Sequence, residues 1–410
     1  MKKVKFIIFV SSLFLGKTLL SQEIVINHIK ETISFLASDS LHGRGTSSPD
    51  EEKAARYLAK KFKEYNLQPK GNDGFIYNFT FKTPSTPHDT VGTGKPRKGR
   101  NVAAFLNNHG NSTIVIGAHF DHLGLGHDHN SLDANPEGKI HNGADDNASG
   151  TAGVLELARN ISENRKNQKF NFLFLCFSGE ELGLIGSKKW CENPTLPLDS
   201  INYMINLDMI GRLNDSTRKI IVYGVGTSPV WVPMLDEISG NFKIKKDSSG
   251  IGPSDQTSFY LKNIPVLHFF TGQHSDYHKP SDDIEKINFP GEVDVLNYIL
   301  KLVEKTNALP KLAFSATRSP QQNSNGFKVT LGVMPDYVFE GKGMRIDGVT
   351  EGKPAFKAGI KTGDVIIQLG ENKVESVESY MKALSNYKKG DHATVEIKRQ
   401  AEILKLEVVF

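Results

Sequence analysis

Four short, strongly apolar runs predict buried strands of a parallel sheet, because both faces of such strands are covered. These runs are Ser112–Gly117, Phe170–Phe177, Tyr203–Leu207 and Ile264–Phe270. Helical patterns alternate with the runs along the chain. The expected fold class is therefore α/β, with a mostly parallel central sheet flanked by helices.

The helices are predicted from apolar residues that recur every three or four positions. The main ones are expected at Glu23–Ser38, from Pro49 to Tyr65, from Val154 to Ile161, at Leu182–Trp190 and at Pro290–Asn307. Ser48-Pro49-Asp50-Glu51 has the pattern of a capping box with proline at the first helical position. Two further strands, Phe75–Phe81 and Asn101–Leu106, are expected to bracket a solvated, mobile loop at Lys82–Arg100.

Side chains of the kinds that bind metals follow each of the four apolar runs. In open α/β sheets, sites form beyond the carboxyl ends of the strands, so these side chains are expected to converge. The stretch Gly143–Gly150 adds two adjacent carboxylates at the start of a helical pattern, although alone it reads equally well as a polar N-cap loop. The full candidate set is His119, Asp146, Glu181, Asp208 and His278. Together the five predict a two-metal site.

If Asp146 bridges, each of two ions has three protein ligands and an open position. One ion is then bound by His119, Asp208 and Asp146, and the other by Glu181, His278 and Asp146. Nitrogen and oxygen ligands with an open position suit catalytic zinc, and two ions about 3.5–4 Å apart suit hydrolysis. Glu180 remains free beside a ligand and is the candidate general base. The expected cofactor is two Zn²⁺ ions per chain.

Five motifs resemble, in their order, those of the dizinc exopeptidase family of secreted bacterial aminopeptidases, to which glutamate carboxypeptidase and glutaminyl cyclase are related. The motifs are His119-x-Asp121, Gly143–Gly150, Ser178–Ser187, Asn206–Gly211 and Tyr277-His278. The resemblance covers approximately residues 22–309. It implies that Asp146 is the bridging ligand, that a cis peptide bond joins it to Asn147, and that Glu180 is the general base.

The resemblance also implies supporting roles for two residues near the ligands. Asp121 would orient His119 without binding the metal itself; the alternatives are that Asp121 is a direct ligand or a loop cap. Tyr277 would polarise the scissile carbonyl, the alternative being simple packing beside the site.

A third implied feature is a substrate-pocket loop at Pro253–Phe259, with Asp255 and Gln256 as pocket residues. Gln256 and Pro253 stand where the family often has histidine, tyrosine or arginine, so the sequence leaves substrate preference open.

Several other polar and sulfur-containing residues are interpreted without a catalytic role. Three histidines on a glycine-containing loop predict a flexible rim rather than a third metal site; they are His122, His127 and His129. His42–Gly45 reads either as a loop near that rim or as a structural turn. Cys176 and Cys191 are expected to be free thiols.

The last block of the chain has its own pattern. Residues 310–326 are rich in serine, proline, glutamine and asparagine and predict a linker. Within 327–410, the pattern at Gly348–Leu369 resembles bacterial PDZ domains, which implies a small α+β domain. Its carboxylate-binding loop, which would capture a chain terminus before the next strand pairs with the peptide, consists of Leu331, Gly332, Val333 and Met334. A stability module without a ligand is the alternative.

The N-terminal segment and the charge bear on location and partners. Residues 1–21 have lysines, then an apolar stretch, then small and polar residues, as in a secretory signal peptide. There is no cysteine near the expected cleavage point, so a lipoprotein anchor is not expected. The formal net charge of +4 falls to about zero without the four lysines of this segment, which argues against nucleic-acid binding.

These observations predict a signal peptide (1–21), a dizinc peptidase domain (22–309), a linker (310–326) and a PDZ-like domain (327–410). The expected protein is a secreted or periplasmic zinc aminopeptidase without a membrane span, acting on peptides with a free N-terminus. A chain-terminal peptide is a possible second partner, at the PDZ-like domain. The alternatives are a glutaminyl cyclase-like acyltransferase, a carboxypeptidase or dipeptidase, and a non-catalytic binding protein.

Overall fold

The structure is a computed structural model that describes residues 24–82, 94–128, 130–165, 168–317, 329–335, 339, 341–349, 352–400 and 402–410. The predicted signal peptide (1–21), His129, residues 318–326 of the predicted linker and residues 327–328 of the predicted PDZ-like domain lie outside the described residues. None of the described helices has the length and hydrophobicity of a membrane-spanning segment.

A nine-stranded sheet forms the centre of the larger part of the described chain. Its strands are β1 Gln68–Pro69, β2 Ile76–Lys82, β3 Pro96–Leu106, β4 Thr113–His119, β5 Asn171–Phe177, β6 Ile201–Leu207, β7 Lys219–Tyr223, β8 Lys243–Lys246 and β9 Val266–Phe270. The order is β1-β3-β5-β4-β6-β9-β7-β8, with β2 paired to β3. The four central strands, β5, β4, β6 and β9, are parallel, and they are the four predicted from the apolar runs. The α/β prediction is confirmed, with antiparallel pairing at β1–β3, β2–β3, β3–β5 and β7–β9.

Helices cover both faces of this sheet. They are α1 Ile26–Leu36, α2 Pro49–Glu64, α3 Gly150–Glu163, α4 Ile185–Glu192, α5 Trp231–Glu237, α6 Gln256–Tyr260 and α7 Phe289–Thr306. One core packs strand side chains against α1, α2, α3, α5 and α7, and the other packs the alternate strand positions against α4 and α6. Because the central strands bury side chains on both faces, their sequences are apolar throughout.

The N-terminus of α2 forms only part of the predicted capping box. Ser48 caps α2 by accepting a hydrogen bond from the Glu51 backbone N–H at 3.0 Å, and Pro49 is the first helical residue. The Glu51 carboxylate does not close the predicted capping box; it accepts hydrogen bonds from Ser178 Oγ at 2.6 Å and Arg100 Nη1 at 2.8 Å. This contact links the first turn of α2 to the residue that follows β5.

The prediction of a loop at Lys82–Arg100 is wrong at both ends of the range, where the described residues belong to strands. Lys82 belongs to β2, and Pro96–Arg100 lengthens β3, which pairs with β2 from Lys82↔Pro96 to Ile76↔Val102. These residues were missed because an exposed strand at the side of a sheet carries polar and charged side chains, which give no apolar signal.

A second sheet lies in the C-terminal block. Its strands are β10 Val333–Pro335, β11 Met344–Val349, β12 Val365–Leu369, β13 Asn372–Lys373, β14 His392–Arg399 and β15 Glu402–Val409, with helices α8 Pro354–Lys357 and α9 Val377–Leu384. The order β10-β11-β12-β14-β15 is antiparallel throughout, with β13 paired to β12. Its own apolar core includes Leu331, Ile366 and Val395.

Candidate metal centre

The five predicted ligands converge at the carboxyl ends of the central strands. His119 is the last residue of β4, Asp208 directly follows β6, and Glu181 lies in the turn after β5. His278 follows β9, and Asp146 lies just before α3. All five contribute to the lining of one cavity. The topology therefore brings together residues that are separated by as much as 159 positions in the sequence.

Asp146 lies between the two histidines. Its Oδ1 is 3.4 Å from His119 Nε2, and its Oδ2 is 3.3 Å from His278 Nε2. His119 Nε2 is also 3.5 Å from Asp208 Oδ1, and His278 Nε2 is 3.0 Å from Glu181 Oε2. One Asp146 oxygen thus faces His119, beside Asp208, and the other faces His278, beside Glu181.

The backbone fixes which nitrogen of each imidazole faces the carboxylates. His119 Nδ1 lies 3.2 Å from the Asp121 carbonyl oxygen, and His278 Nδ1 lies 2.8 Å from the Asn130 carbonyl oxygen. A carbonyl oxygen only accepts, so each Nδ1 carries the proton and donates it. In the neutral imidazole that binds a metal, each Nε2 would then direct its lone pair at the site.

The donor set fits zinc. Two atoms bound to one tetrahedral zinc at about 2.0–2.1 Å lie roughly 3.3 Å apart, and the four nitrogen–oxygen separations run from 3.0 to 3.5 Å. His119, Asp146 and Glu181 offer ligand atoms within 4.8 Å of one another. Asp146 Oδ2 is buried without a hydrogen-bond partner among the described residues. Buried carboxylates at this density need compensating positive charge, which divalent cations supply.

The backbone of Asp146 is held by buried hydrogen bonds. The peptide bond from Asp146 to Asn147 is cis, as the family resemblance implied. Asp282 Oδ2 accepts the backbone N–H groups of Asp145 and Asp146, both at 3.0 Å. The Asp145 side chain accepts from the Gly211 N–H at 2.7 Å and from Ser149 Oγ at 3.0 Å. Of the two adjacent aspartates, Asp146 therefore faces the two histidines, and Asp145 bonds to neighbouring loops.

Glu180 lines the cavity but is not one of the five candidate ligands. Its Oε2 is 3.9 Å from His119 Nε2, beyond hydrogen-bond distance. Burial, with the nearby Glu181 and Asp255, raises the pKa of Glu180 well above its ordinary value, against the opposing effect of His119. A raised pKa suits a carboxylate that must take up a proton during a reaction.

Asp121 is buried beneath His119. Its carboxylate Oδ1 is 3.8 Å from His119 Nδ1, which instead donates to the carbonyl of the same residue. The carboxylate accepts hydrogen bonds from Thr46 Oγ1 at 2.7 Å and from the Glu180 N–H at 3.2 Å. Asp121 thus contacts both the ligand histidine and the backbone of Glu180. Its role in orienting His119 stays a prediction.

The cavity has a volume of about 520 Å³, within the range of about 300–1,000 Å³ typical of ligand sites. Tyr277 lines it and stacks on His278 with ring centroids 3.9 Å apart. Pro253 also lines the cavity. Asp255 and Gln256, the predicted pocket residues, are fully buried at the start of α6, where burial raises the pKa of Asp255 to about 7. A direct contact with substrate stays a prediction for these two.

His122 has a different environment from the one predicted. It is buried, and its Nδ1 donates a hydrogen bond to Glu181 Oε1 at 2.6 Å. Gly143 has a φ of +55°, and a Cβ there would lie 2.4 Å from the His122 ring. His127, on the same loop, is exposed as expected. The prediction of a flexible rim is therefore wrong for His122, which contacts the candidate ligand Glu181 directly.

Replacing His122 by alanine is expected to lower zinc affinity by about 10–100-fold, because ligands lose affinity when their hydrogen-bond partners are removed. Glutamine, which can still donate to Glu181, should restore much of it. Chelator competition on the purified variants measures the change, and His127→Ala is the matched control. Unchanged affinity in the alanine variant would show that the contact with Glu181 is not needed.

Arg44 is a second residue whose importance the sequence pattern did not reveal. Its guanidinium is fully buried and donates to the carbonyl oxygens of Phe120 at 2.6 Å, Leu36 at 3.0 Å and Gly143 at 2.7 Å, and to that of Asn142. Burial lowers the pKa of Arg44 to about 10, against the opposing effect of Asp146 and other carboxylates. The predicted turn at His42–Gly45 therefore carries a side chain that joins the loops on either side of the ligands.

The fold and the site define a zinc exopeptidase-type α/β domain. Residues 101–303 match the model of peptidase family M28, and residues 319–409 match that of the PDZ domain. Residues 101–303, about half of the chain, therefore form a peptidase family M28 segment, and a PDZ domain follows it. The family resemblance predicted from the motifs is confirmed.

Among similar proteins, aminopeptidase YwaD of Bacillus subtilis is 30% identical over 158 residues, which are 36% of this chain and 34% of that protein. The chain thus spans about a third of the length of the curated relatives that it matches.

Two solved structures share the fold. The LapA aminopeptidase of Legionella pneumophila has a TM-score of 0.53 and 21% identity, over 70% of this chain and 73% of that one. The glutaminyl cyclase of Porphyromonas gingivalis has a TM-score of 0.56 and 16% identity, over 70% of this chain and all of that one.

Proposed function

We propose that the protein is a two-zinc aminopeptidase that acts outside the cytoplasm and removes N-terminal residues from peptides. The observation that carries the proposal is the position of Asp146, whose two oxygens face nitrogens of two different histidines. A carboxylate placed in this way supports two ions rather than one. The aminopeptidase relatives support peptides as the substrate class, and the predicted signal peptide supports export.

The ligands divide into two sets that share Asp146. His119 and Asp208 would hold one zinc ion, and Glu181 and His278 the other. When bound, zinc ions supply Lewis-acid polarisation of water and of the scissile carbonyl.

The residues around the ligands perform the proton transfers and the orientation. Glu180, whose carboxylate lines the cavity beside the ligands, takes a proton from the attacking water and delivers it to the leaving amine. The Tyr277 hydroxyl donates towards the carbonyl oxygen as negative charge develops there. Glu180, the one cavity-lining carboxylate among the described residues that is not assigned to zinc, attracts the ammonium group of a free N-terminus and favours that end of the peptide.

A panel of matched substrates tests the proposal. Aminoacyl substrates with a free N-terminus should be cleaved, and the same compounds N-acetylated should not, because acetylation removes the ammonium charge. A chelator should stop cleavage, and added zinc should restore it with about two ions per chain. Cleavage that is indifferent to the chelator, or confined to the carboxyl end of the panel peptides, contradicts the assignment.

The same substrate panel distinguishes the aminopeptidase from the alternative function, a glutaminyl cyclase. A glutaminyl cyclase-like acyltransferase needs only one metal ion and converts N-terminal glutamine to its cyclic form with loss of ammonia. Cyclisation of a glutaminyl peptide together with one zinc per chain would replace the proposal. Release of free amino acids with two zinc ions supports it.

A further inference from the structure

The cavity that contains the metal ligands has a wall from the C-terminal sheet. Val333 and Pro335, both in β10, line the same cavity as His119, Glu180 and Asp208. β10 follows directly on Leu331-Gly332, the first half of the predicted carboxylate-binding loop. The predicted peptide-binding segment of the PDZ domain therefore lies beside the metal centre and not on a remote surface.

β10 has one edge available for pairing. It is the terminal strand of its sheet and pairs with β11 at Val333↔Val349 and Met334↔Gly348. Within the described residues, no strand pairs with its second edge. An exposed strand edge presents N–H and C=O groups that an extended peptide can join as an added strand.

The edge of β10 ends near Leu331 on one side and at Pro335 on the other. Leu331 is buried in the C-terminal core, and its carbonyl oxygen accepts the Ala355 N–H at 2.9 Å, which anchors the loop before β10. Gly332 has a φ of +73°, a conformation that glycine adopts without strain. Pro335 has no N–H group to donate, so the pairing edge ends there. The available edge is therefore only a few residues long.

We propose that β10 is the outer part of the substrate site, and that the preferred substrates are short, extended peptides whose residues beyond the cleaved bond pair with β10. The proposal rests on the proposed aminopeptidase function and adds a substrate class to it. The N-terminal residue lies at the ligands, and the following residues, which advance about 3.3–3.4 Å each when extended, run along the wall formed by Val333 and Pro335.

The physical consequence is a dependence of turnover on peptide length. A dipeptide amide reaches the ligands but not β10, whereas a pentapeptide reaches both. Main-chain pairing does not depend on side chains, so the gain with length should be largely independent of sequence beyond the first residue. The N-terminus of a folded protein, which cannot lie extended along the wall, should be a poor substrate.

The test compares substrates of different length on the zinc-loaded full chain. Val333→Arg places a long charged side chain on the peptide's path. It should lower kcat/KM for a pentapeptide at least tenfold, about 1.4 kcal/mol, and lower kcat/KM for a dipeptide amide by a much smaller factor. Ile403→Arg is the matched control, since Ile403 is exposed on β15 at the opposite end of the same sheet.

A binding measurement separates this proposal from the proposed function. An N-acetylated, fluorescently labelled pentapeptide should bind the full chain, as measured by anisotropy, and Val333→Arg should weaken that binding at least tenfold. If no substrate is cleaved but this binding persists, the aminopeptidase assignment fails and the docking surface stands. Equal losses for dipeptide and pentapeptide, a general rise in turnover in Val333→Arg, or peptide binding that Val333→Arg leaves unchanged would overturn the proposal.

Discussion

Replacing Glu180 by glutamine is expected to lower kcat for aminoacyl substrates by about 10²–10⁴-fold, the range for loss of a positioned general base. Glutamine keeps the shape of the side chain but cannot accept the proton of the attacking water. The five ligands do not include Glu180, whose nearest approach to His119 Nε2 is 3.9 Å. Zinc content should therefore stay near two ions per chain, and KM should change much less than kcat.

Two further variants test whether the loss of turnover is specific to Glu180. Glu192→Gln removes a carboxylate of the same kind from an exposed position on α4, where it pairs with Lys189, and should leave kcat unchanged. Glu180→Ala should be at least as inactive as Glu180→Gln. If either Glu180 variant keeps its turnover, another group moves the proton. If either loses zinc, Glu180 belongs with the ligands and the assignment of roles must be exchanged.

The centre of the fold was predictable because its physical requirements are local. A parallel strand covered on both faces needs an apolar run, and the residue after such a run lies at the edge of the sheet where sites form. Those two rules predicted four of the five candidate ligands, and the structure places all five in the lining of one cavity. They failed at Pro96–Arg100, where an exposed strand has no apolar run to reveal it.

The residues that support the ligands were less accessible to sequence reasoning, because their partners lie far away along the chain. Asp282 holds the backbone of Asp146 from 136 positions away, and Arg44 reaches Gly143 from 99 positions away. The His122 contact with Glu181 spans 59 positions. A loop histidine looks the same in sequence whether it faces water or a ligand. The motif His119-x-Asp121-His122 was the one signal that could have singled it out.

Replacing Asp146 by alanine is expected to remove both zinc ions at once, since its two oxygens serve both ligand sets. Zinc content should fall from about two ions per chain to well below one, and turnover should be lost. By contrast, Asp208→Ala removes a ligand from one set only and should leave the set of Glu181 and His278 able to bind its ion. Metal analysis of the three proteins after dialysis distinguishes a shared ligand from an unshared one.

The Tm with and without chelator tests independently whether both zinc ions depend on Asp146. Zinc that binds only the folded chain stabilises it by about 2.7 kcal/mol at a free concentration 100 times the dissociation constant, so a chelator should lower the Tm of the parent protein. Asp146→Ala has no bound zinc to lose, and its Tm should be lower from the start and insensitive to the chelator. Asp208→Ala should show an intermediate chelator-sensitive shift. An Asp146→Ala protein that still holds one ion, with a chelator-sensitive Tm, would mean that one ligand set binds zinc without this carboxylate.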